Sequence, residues 1–234
     1  MTSGRTSRRD LLKTGLGIAT GTAVAGLAGS FLLQCNKKET AGVSPVEDLM
    51  REHGLLKRVM LIYEEVLRRI DRKQDFPVKE LSNSAFIIRN FIENYHEKLE
   101  EDYLFPRFNK AGKQVELTRV LEIQHRAGRR VTDLIIKSAN EKALRDPTER
   151  VGLAYSIRQF NRMYAPHEAR EDTVLFPAFR HIVDAKEYDR LGDEFEDREH
   201  KLFGSRGFEG MVDRVAAIEK KLGIYDLARF TPKI

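Results

Sequence analysis

The sequence predicts an all-α protein, built as an up-down-up-down four-helix bundle with an extra helical segment at the C-terminus. Three observations support this fold class. Apolar residues recur every three or four positions over four long stretches, proline or glycine breaks separate those stretches, and hardly any strand pattern follows residue 45. The 234 residues, 33% of them charged, suit one amphipathic helical core with tails. Short connections between long helices favour antiparallel neighbours.

The N-terminal region differs from the rest in charge and hydropathy. Arg8 and Arg9 precede two leucines, and no charged residue occurs in positions 14–34. This pattern resembles a twin-arginine export signal, with Leu11 where phenylalanine is common. We therefore expect export by the twin-arginine route, to the periplasm or to the outer side of the inner membrane as an anchored protein. An ordinary signal anchor is the alternative, because the uncharged stretch is almost long enough to span a bilayer.

Processing of this segment remains open. Ala23-Val24-Ala25 offers a small-x-small cleavage site. Cys35 follows two leucines, as in a lipoprotein acylation box, but Gln34 stands where such boxes need a small residue. We take residues 1–35 as signal or anchor and residues 36–45 as a linker, with lipidation of Cys35 as an option. Membrane contact is expected only through this segment.

Composition excludes several classes of protein. Cys35 is the only cysteine, which rules out an intramolecular disulfide and a thiolate metal cluster. The net charge is +5, but the first 35 residues account for three of those charges. The remaining surface is mixed in sign, so the sequence predicts no nucleic-acid partner.

Residues 46–183 are predicted to form the bundle, and each of its four helices carries a histidine on its apolar seam. In chain order the seams include Leu49, His53, Leu56 and Met60; Ala85, Ile88, Ile92 and His96; Leu117, Leu121, His125 and Gly128; and Phe160, Tyr164, His167 and Glu171. A single buried histidine is usually a hydrogen-bonded core residue. Four of them with Glu100 and Glu171 indicate more, because a buried carboxylate is costly unless it is paired or bound to metal.

Residues 184–234 are predicted to form a C-terminal helical extension. It begins with a polar helix over residues 186–203 and ends with a short helix over residues 211–222. Glu196, Glu199 and His200 lie together on the polar helix, and such a charge run predicts a solvated face. The alternative is that this helix folds over the open end of the bundle and that His200 lines the site.

An internal duplication strengthens the metal hypothesis. The stretch from His96 to Pro106 matches the stretch from His167 to Pro177 at His-Glu-x-x-Glu-acidic and again at Leu-Phe-Pro. A lone histidine precedes each pair at a similar distance. Residues four apart share one helix face, so each histidine can bind one metal while its glutamate reaches a second. Imidazole with carboxylate suits iron, although zinc and manganese remain possible.

These motifs resemble the HHE cation-binding domain of the hemerythrin-like superfamily. The resemblance covers roughly residues 46–181, and it implies two non-haem iron ions held by six ligands: His53, His96, Glu100, His125, His167 and Glu171. It implies a protein that binds or senses O2 or NO, or responds to oxidative or nitrosative stress. One departure concerns the oxygen-carrying members, which have a fifth histidine where this chain has Arg129.

Other interpretations remain open. A ferritin-like site needs Glu-x-x-His, and Glu93 and Glu122 fit that string, but the fourth helix has Tyr164 where a glutamate is required. Glu97 and Glu168 are expected to be solvated or to accept hydrogen bonds near the metals. An enzyme that reduces peroxide or NO, an iron donor for iron-centre repair, and a metal-stabilised partner-binding module are the alternative functions. The sequence identifies no catalytic residue and no protein partner.

Overall fold

The computed structural model describes residues 43–232, and the structural statements below concern that range. The predicted signal or anchor, Cys35 and most of the linker lie outside it. The described part of the chain is helical and contains no strand, as the sequence predicts. Within residues 43–232 no helix is both long enough and apolar enough to cross a bilayer.

Four long helices form the bundle, and four shorter elements of the described residues follow or connect them. The elements are α1 (Pro45–Asp71); α2, continuous through Val78–Ile87, Ile88–His96, Glu97–Leu99, Glu100–Leu104 and Phe105–Ala111; α3 (Val115–Ser138); the short α4 (Glu141–Arg145); α5 (Pro147–Arg170, continued by Glu171–Leu175 and Phe176–Phe179); α6 (Ala185–Phe203); α7 (Gly207–Leu222); and a 3₁₀ turn (Leu227–Phe230).

Local sequence signals set the helix ends. Ser44 caps α1 by accepting a hydrogen bond from the Glu47 amide at 3.3 Å, and Pro45 occupies the first turn, where its missing N–H costs nothing. Asp146 caps α5 in the same way at 2.7 Å from the Thr148 amide. Gly112 ends α2 with a φ of 61°, a conformation that glycine adopts without strain. The predicted breaks are therefore found where expected.

Cross-helix contacts show that helices packed side by side in the bundle run antiparallel. On α1 and α5, His53 contacts Asp172 while the Met60 carbonyl accepts from Asn161, so the numbers rise on one helix and fall on the other. On α2 and α3, Glu101 contacts His125 whereas Arg89 contacts Asp133. Each of the four long helices packs against two others around a common core. This is the arrangement of an up-down-up-down bundle.

Each Leu-Phe-Pro motif follows a π-helical turn that begins at a predicted metal ligand. In α2 the turn covers Glu100–Leu104, and in α5 it covers Glu171–Leu175. Regular α-helix resumes at the phenylalanine, with the proline in its first turn, where no donor is needed. Single π turns inside α-helices are rare and are frequent at functional sites.

The C-terminal helices extend the same core. Helices α6 and α7 pack against each other and against α1, and α7 also contacts α2. Phe195 and Val215 are fully buried there. Helix α7 begins at Gly207, four residues before the predicted start. A Cβ at Gly207 would lie 1.8 Å from Glu199 Oε1, so this glycine provides space for a buried carboxylate and does not break the helix.

Candidate metal centre

The four seam histidines converge at the centre of the bundle with their Nε2 atoms inward. His53 and His96 come from α1 and α2, and their Nε2 atoms lie 3.0 Å apart. His125 and His167 come from α3 and α5, with ring centroids 5.0 Å apart. The four side chains are at most 4% exposed. Two imidazole pairs therefore face one shared interior.

Glu100 and Glu171 lie between the two imidazole pairs. Glu100 places Oε1 3.9 Å from His96 Nε2 and Oε2 3.3 Å from His125 Nε2. Glu171 places Oε2 3.4 Å from His53 Nε2 and 3.2 Å from His167 Nε2. Both carboxylates are fully buried. Each glutamate thus reaches an imidazole of both halves, as a carboxylate bridging two metals requires.

The ligand atoms form two overlapping groups, each compact enough for one ion. His125, His167, Glu100 and Glu171 have ligand atoms within 4.8 Å of one another, and so do His53, His96 and Glu100. The structure therefore brings all six predicted ligands together. A third group of Glu97, Glu101 and His125 is equally compact, but Arg129 already neutralises its carboxylates.

Every imidazole is oriented by an acceptor on its outer Nδ1 atom. His53 contacts Asp172 at 2.7 Å and His125 contacts Glu101 at 3.1 Å. A separate pair of acceptors completes the set: Glu52 lies 2.7 Å from His96 Nδ1, and Gln124 lies 2.9 Å from His167 Nδ1. An acceptor at Nδ1 places the proton there and leaves Nε2 free as a metal ligand.

Burial and neighbouring charges shift the pKa values of these groups in opposite directions. Burial alone lowers the pKa of His53, but the neighbouring carboxylates of Asp172 and Glu171 outweigh it and raise the pKa to about 9. Burial lowers the pKa of His96 well below its usual value. Burial and the charge of Glu171 raise the pKa of Glu100, whereas His167 and His53 overcome burial at Glu171 and hold its pKa low. A cation here would displace protons from such groups.

The predicted ligand side chains leave buried polar atoms unsatisfied, and a bound cation would satisfy them. Among the described residues, neither oxygen of Glu100 or Glu171 has a hydrogen-bond partner of good geometry, and the same is true of His125 Nε2. Buried carboxylate oxygens without partners are costly, and a metal ion bound to nitrogen and oxygen atoms removes that cost.

Two phenylalanines cover the centre at corresponding positions. The Phe176 ring stacks on His53 with centroids 5.3 Å apart, and the Phe105 ring stacks on His125 at 5.6 Å. Both belong to the Leu-Phe-Pro motifs. An apolar cover of this kind limits water access and lowers the local dielectric constant.

Arg129 does not act as a substitute ligand. Its Nη2 atom lies 2.7 Å from Glu97 Oε2 and 2.7 Å from Glu101 Oε1. This guanidinium therefore pairs with two carboxylates of α2. Glu97 also accepts a 2.7 Å hydrogen bond from the Tyr164 hydroxyl, and burial raises the pKa of Glu97 to about 8 against the influence of Arg129.

Several acidic residues lie elsewhere than the sequence suggested. Glu122 is exposed and pairs with Arg126, which excludes it from a ferritin-like site. Glu97 and Glu168 are buried beside Arg129 and Lys57, so neither is solvated.

Glu199 corrects a second expectation, because it is fully buried where a solvated face was predicted. It accepts a hydrogen bond from the Phe208 amide and lies close to Asp48 and Glu52, while His200 is half-buried. Helix α6 thus reaches the surroundings of the centre through Glu199. The prediction failed because a charge run cannot show which of its members faces a neighbouring helix.

The outer acceptors were missed by the sequence reasoning, although the duplication carries their signal. Glu52 and Gln124 each precede a lone histidine by one residue. Glu101 and Asp172 each follow a bridging glutamate by one residue. An alignment of the two halves beyond the ligands would have marked all four positions.

The comparisons with known proteins agree with this geometry. The family model described as the hemerythrin HHE cation binding domain matches residues 44–178. One protein of Mycobacterium tuberculosis and one of Mycobacterium bovis, both named only as uncharacterized, are each 50% identical to the chain over 190 residues, which is 81% of this chain and 74% of each relative. No solved structure matches the chain. Because that family model covers more than half of the chain, the chain belongs to the hemerythrin HHE cation binding domain family.

Proposed function

We propose that the chain is a non-haem di-iron protein that binds or senses O2 or NO, or responds to oxidative or nitrosative stress, in the cell envelope. One observation carries the proposal: Glu100 and Glu171 each lie between two imidazole pairs, so the ligand set serves two ions and not one. Nitrogen and carboxylate ligands suit iron, and zinc and manganese are the chemical competitors.

The protein shell leaves room for a small ligand. Each ion would receive two imidazoles and one oxygen from each bridging glutamate, fewer donors than an octahedral ion takes. Because Arg129 is held by Glu97 and Glu101, no fifth imidazole closes one of the positions. Two ferrous ions would supply electrons and open coordination positions for a diatomic molecule or peroxide. The stacked Phe105 and Phe176 rings keep those positions apart from bulk water.

The chemical hypothesis is tested by iron content and by reactivity. Protein purified without oxygen from iron-replete cells should hold two iron ions per chain, because metal binding is partly folding energy in such sites. One ion or none contradicts the proposal. A change in absorption on adding O2 or NO, without turnover, supports binding or sensing. Continued consumption of peroxide or NO identifies an enzyme instead, and a lack of response leaves a structural role.

The cellular location belongs to the same proposal. The Arg8-Arg9 pair before an uncharged stretch supports export by the twin-arginine route, which carries proteins already folded around a cofactor. Replacing both arginines with lysine should leave the precursor in the cytoplasm, as judged by cell fractionation. Delivery to the periplasm that does not depend on the twin-arginine translocase would contradict this assignment.

A further inference from the structure

The outer acceptors of the two imidazole pairs differ in chemical type. In the first pair, His96 Nδ1 lies 2.7 Å from a Glu52 carboxylate oxygen. At the corresponding place in the second pair, His167 Nδ1 lies 2.9 Å from the amide oxygen of Gln124. A carboxylate makes the imidazole a stronger metal ligand than a neutral amide does, because its charge supports positive charge on the ring.

The remaining acceptors differ in the same direction. Asp172, which orients His53, forms no ion pair with a lysine or arginine in the described part of the chain. Glu101, which orients His125, also pairs with Arg129 at 2.7 Å and with Lys98. Two cations share the negative charge of Glu101, so less of it acts on His125. Both imidazoles of the second pair are therefore supported more weakly than those of the first.

From these contacts we propose that the two metal positions are inequivalent, and that His53 and His96 hold their ion more tightly than His125 and His167 do. The position of the second pair is then the one that fills last and releases its ion first. Glu52 and Gln124 are the positioning residues that set this order. The inference uses the chemical type of the acceptor at each Nδ1 atom, and two further carboxylates, Asp48 and Glu199, lie beside Glu52.

The inference rests on the two-metal site of the proposed function and deepens it. Zn2+ is a suitable probe for the full chain because it is diamagnetic, and the ¹⁵N resonances of the imidazoles report which ring binds it. With one equivalent of Zn2+, the resonances of His53 and His96 should move first, with a preference of about tenfold, the lower end of the effect of such outer partners on metal affinity. His181 and His200 serve as internal references.

Two variants decide the cause of the preference. Gln124→Glu gives both pairs a carboxylate and should bring the two positions close to equal filling. Glu52→Gln gives both an amide and should also narrow the preference, at weaker overall affinity. Gln124 is half-buried, so its variant remains decisive if the Glu52 variant fails to fold. Glu122→Gln, at an exposed site on α3, is the matched control and should change nothing.

Several outcomes would overturn the inference. Equal filling in the wild-type protein, filling of His125 and His167 first, or a preference unchanged by Gln124→Glu each contradict it. In those cases two ions still bind and the proposed function stands. Binding of fewer than two ions overturns the proposed function and this inference together.

Discussion

The two halves of the bundle, α1 with α2 and α3 with α5, hold the same ligands in different surroundings. Each half supplies a lone histidine, a second histidine and a glutamate four residues after it. Around these, Glu52 corresponds to Gln124, Lys57 to Arg129 and Leu56 to Gly128. The comparison teaches that metal chemistry constrains only the innermost atoms. The residues one contact further out have diverged, and they are where the two halves acquire different properties.

The clearest divergence lies beside the second half. Arg129 is 21% exposed and contacts two acidic residues of α2, whereas Lys57 is 52% exposed and contacts Glu168 alone. Gly128 makes room for Tyr164, whose hydroxyl reaches Glu97. The first half has the fully packed Leu56 at that place. At this position the second half thus has a buried polar contact, and the first half has apolar packing.

The largest expected effect removes a ligand from either half. His96→Ala and His167→Ala should each reduce bound metal from two ions to one or none, and should lower the melting temperature of the loaded protein, because binding stabilises the folded state. Metal analysis and calorimetry measure both. His181→Ala is the control, since this histidine is exposed and outside the centre. A ligand variant with full metal and an unchanged melting temperature would remove that histidine from the site.

The next prediction compares the contributions of Arg129 and Lys57 to the free energy of unfolding. Arg129→Met should destabilise the metal-free protein by about 3 kcal/mol, because Glu97 and Glu101 both lose the guanidinium that lies between them. Lys57→Met should cost about 1 kcal/mol, since Lys57 is half exposed and Glu168, whose pKa is raised by burial, can take up a proton. Denaturant unfolding at neutral pH measures both values. Equal costs would show that the polar network beside α3 adds nothing.

Acid should reduce the contribution of Arg129. Burial raises the pKa of Glu101, but hydrogen bonds to His125, Lys98 and Arg129 outweigh it and lower the pKa to about 2. A lowered pKa contributes stability above the ordinary value of about 4.5, and that contribution is lost as the pH falls towards 2. The stability difference between wild type and Arg129→Met should therefore shrink over this window. A difference that does not change with pH would assign the effect to packing.

An effect smaller than that of Arg129→Met concerns Gly128. A Cβ there would lie 2.0 Å from the Tyr164 hydroxyl oxygen, so Gly128→Ala should cost about 2 kcal/mol through overpacking. Gly152→Ala on α5 is the matched control, because nothing lies within 4 Å of its Cβ position and alanine should stabilise that helix by about 1 kcal/mol. Thermal melting of both variants is sufficient. Equal gains in stability would show that Tyr164 has space to move aside.

Much of the fold and the convergence of the six predicted ligand residues were predictable, because both follow from periodic patterns within single helices. The apolar seams identify the buried faces, and His-x-x-x-Glu places two ligands on one face. The duplication then distinguishes predicted ligands from ordinary core histidines. A single His-x-x-x-Glu pattern cannot make that distinction. The contacts that bring Glu100 close to His125 need only the expected antiparallel order of helices.

The sequence could not predict contacts that depend on how helices are rotated against each other. A rotation of α3 about its axis by a fraction of a turn decides whether the Arg129 side chain points to the predicted metal site or to Glu101. Glu199 is buried beside the start of α7, where Gly207 leaves space for its carboxylate. A glycine in a sequence ordinarily suggests a break. Its missing side chain has a different use, which only the neighbouring carboxylate explains.

The π turns have a consequence for the helical phase of the chain. In an α-helix, a residue five positions later lies about 140° around the axis from the first, whereas in a π turn the wider winding brings it much closer to the same face. Glu100 and Phe105 therefore share a face, as do Glu171 and Phe176, although their spacing would otherwise separate them. Each π turn contains one residue more than an α-helical turn. This extra residue brings the phenylalanine onto the same helix face as the glutamate that begins the turn. Loss of one residue inside either turn would rotate everything after it by about 100° and carry the cover away from the imidazoles.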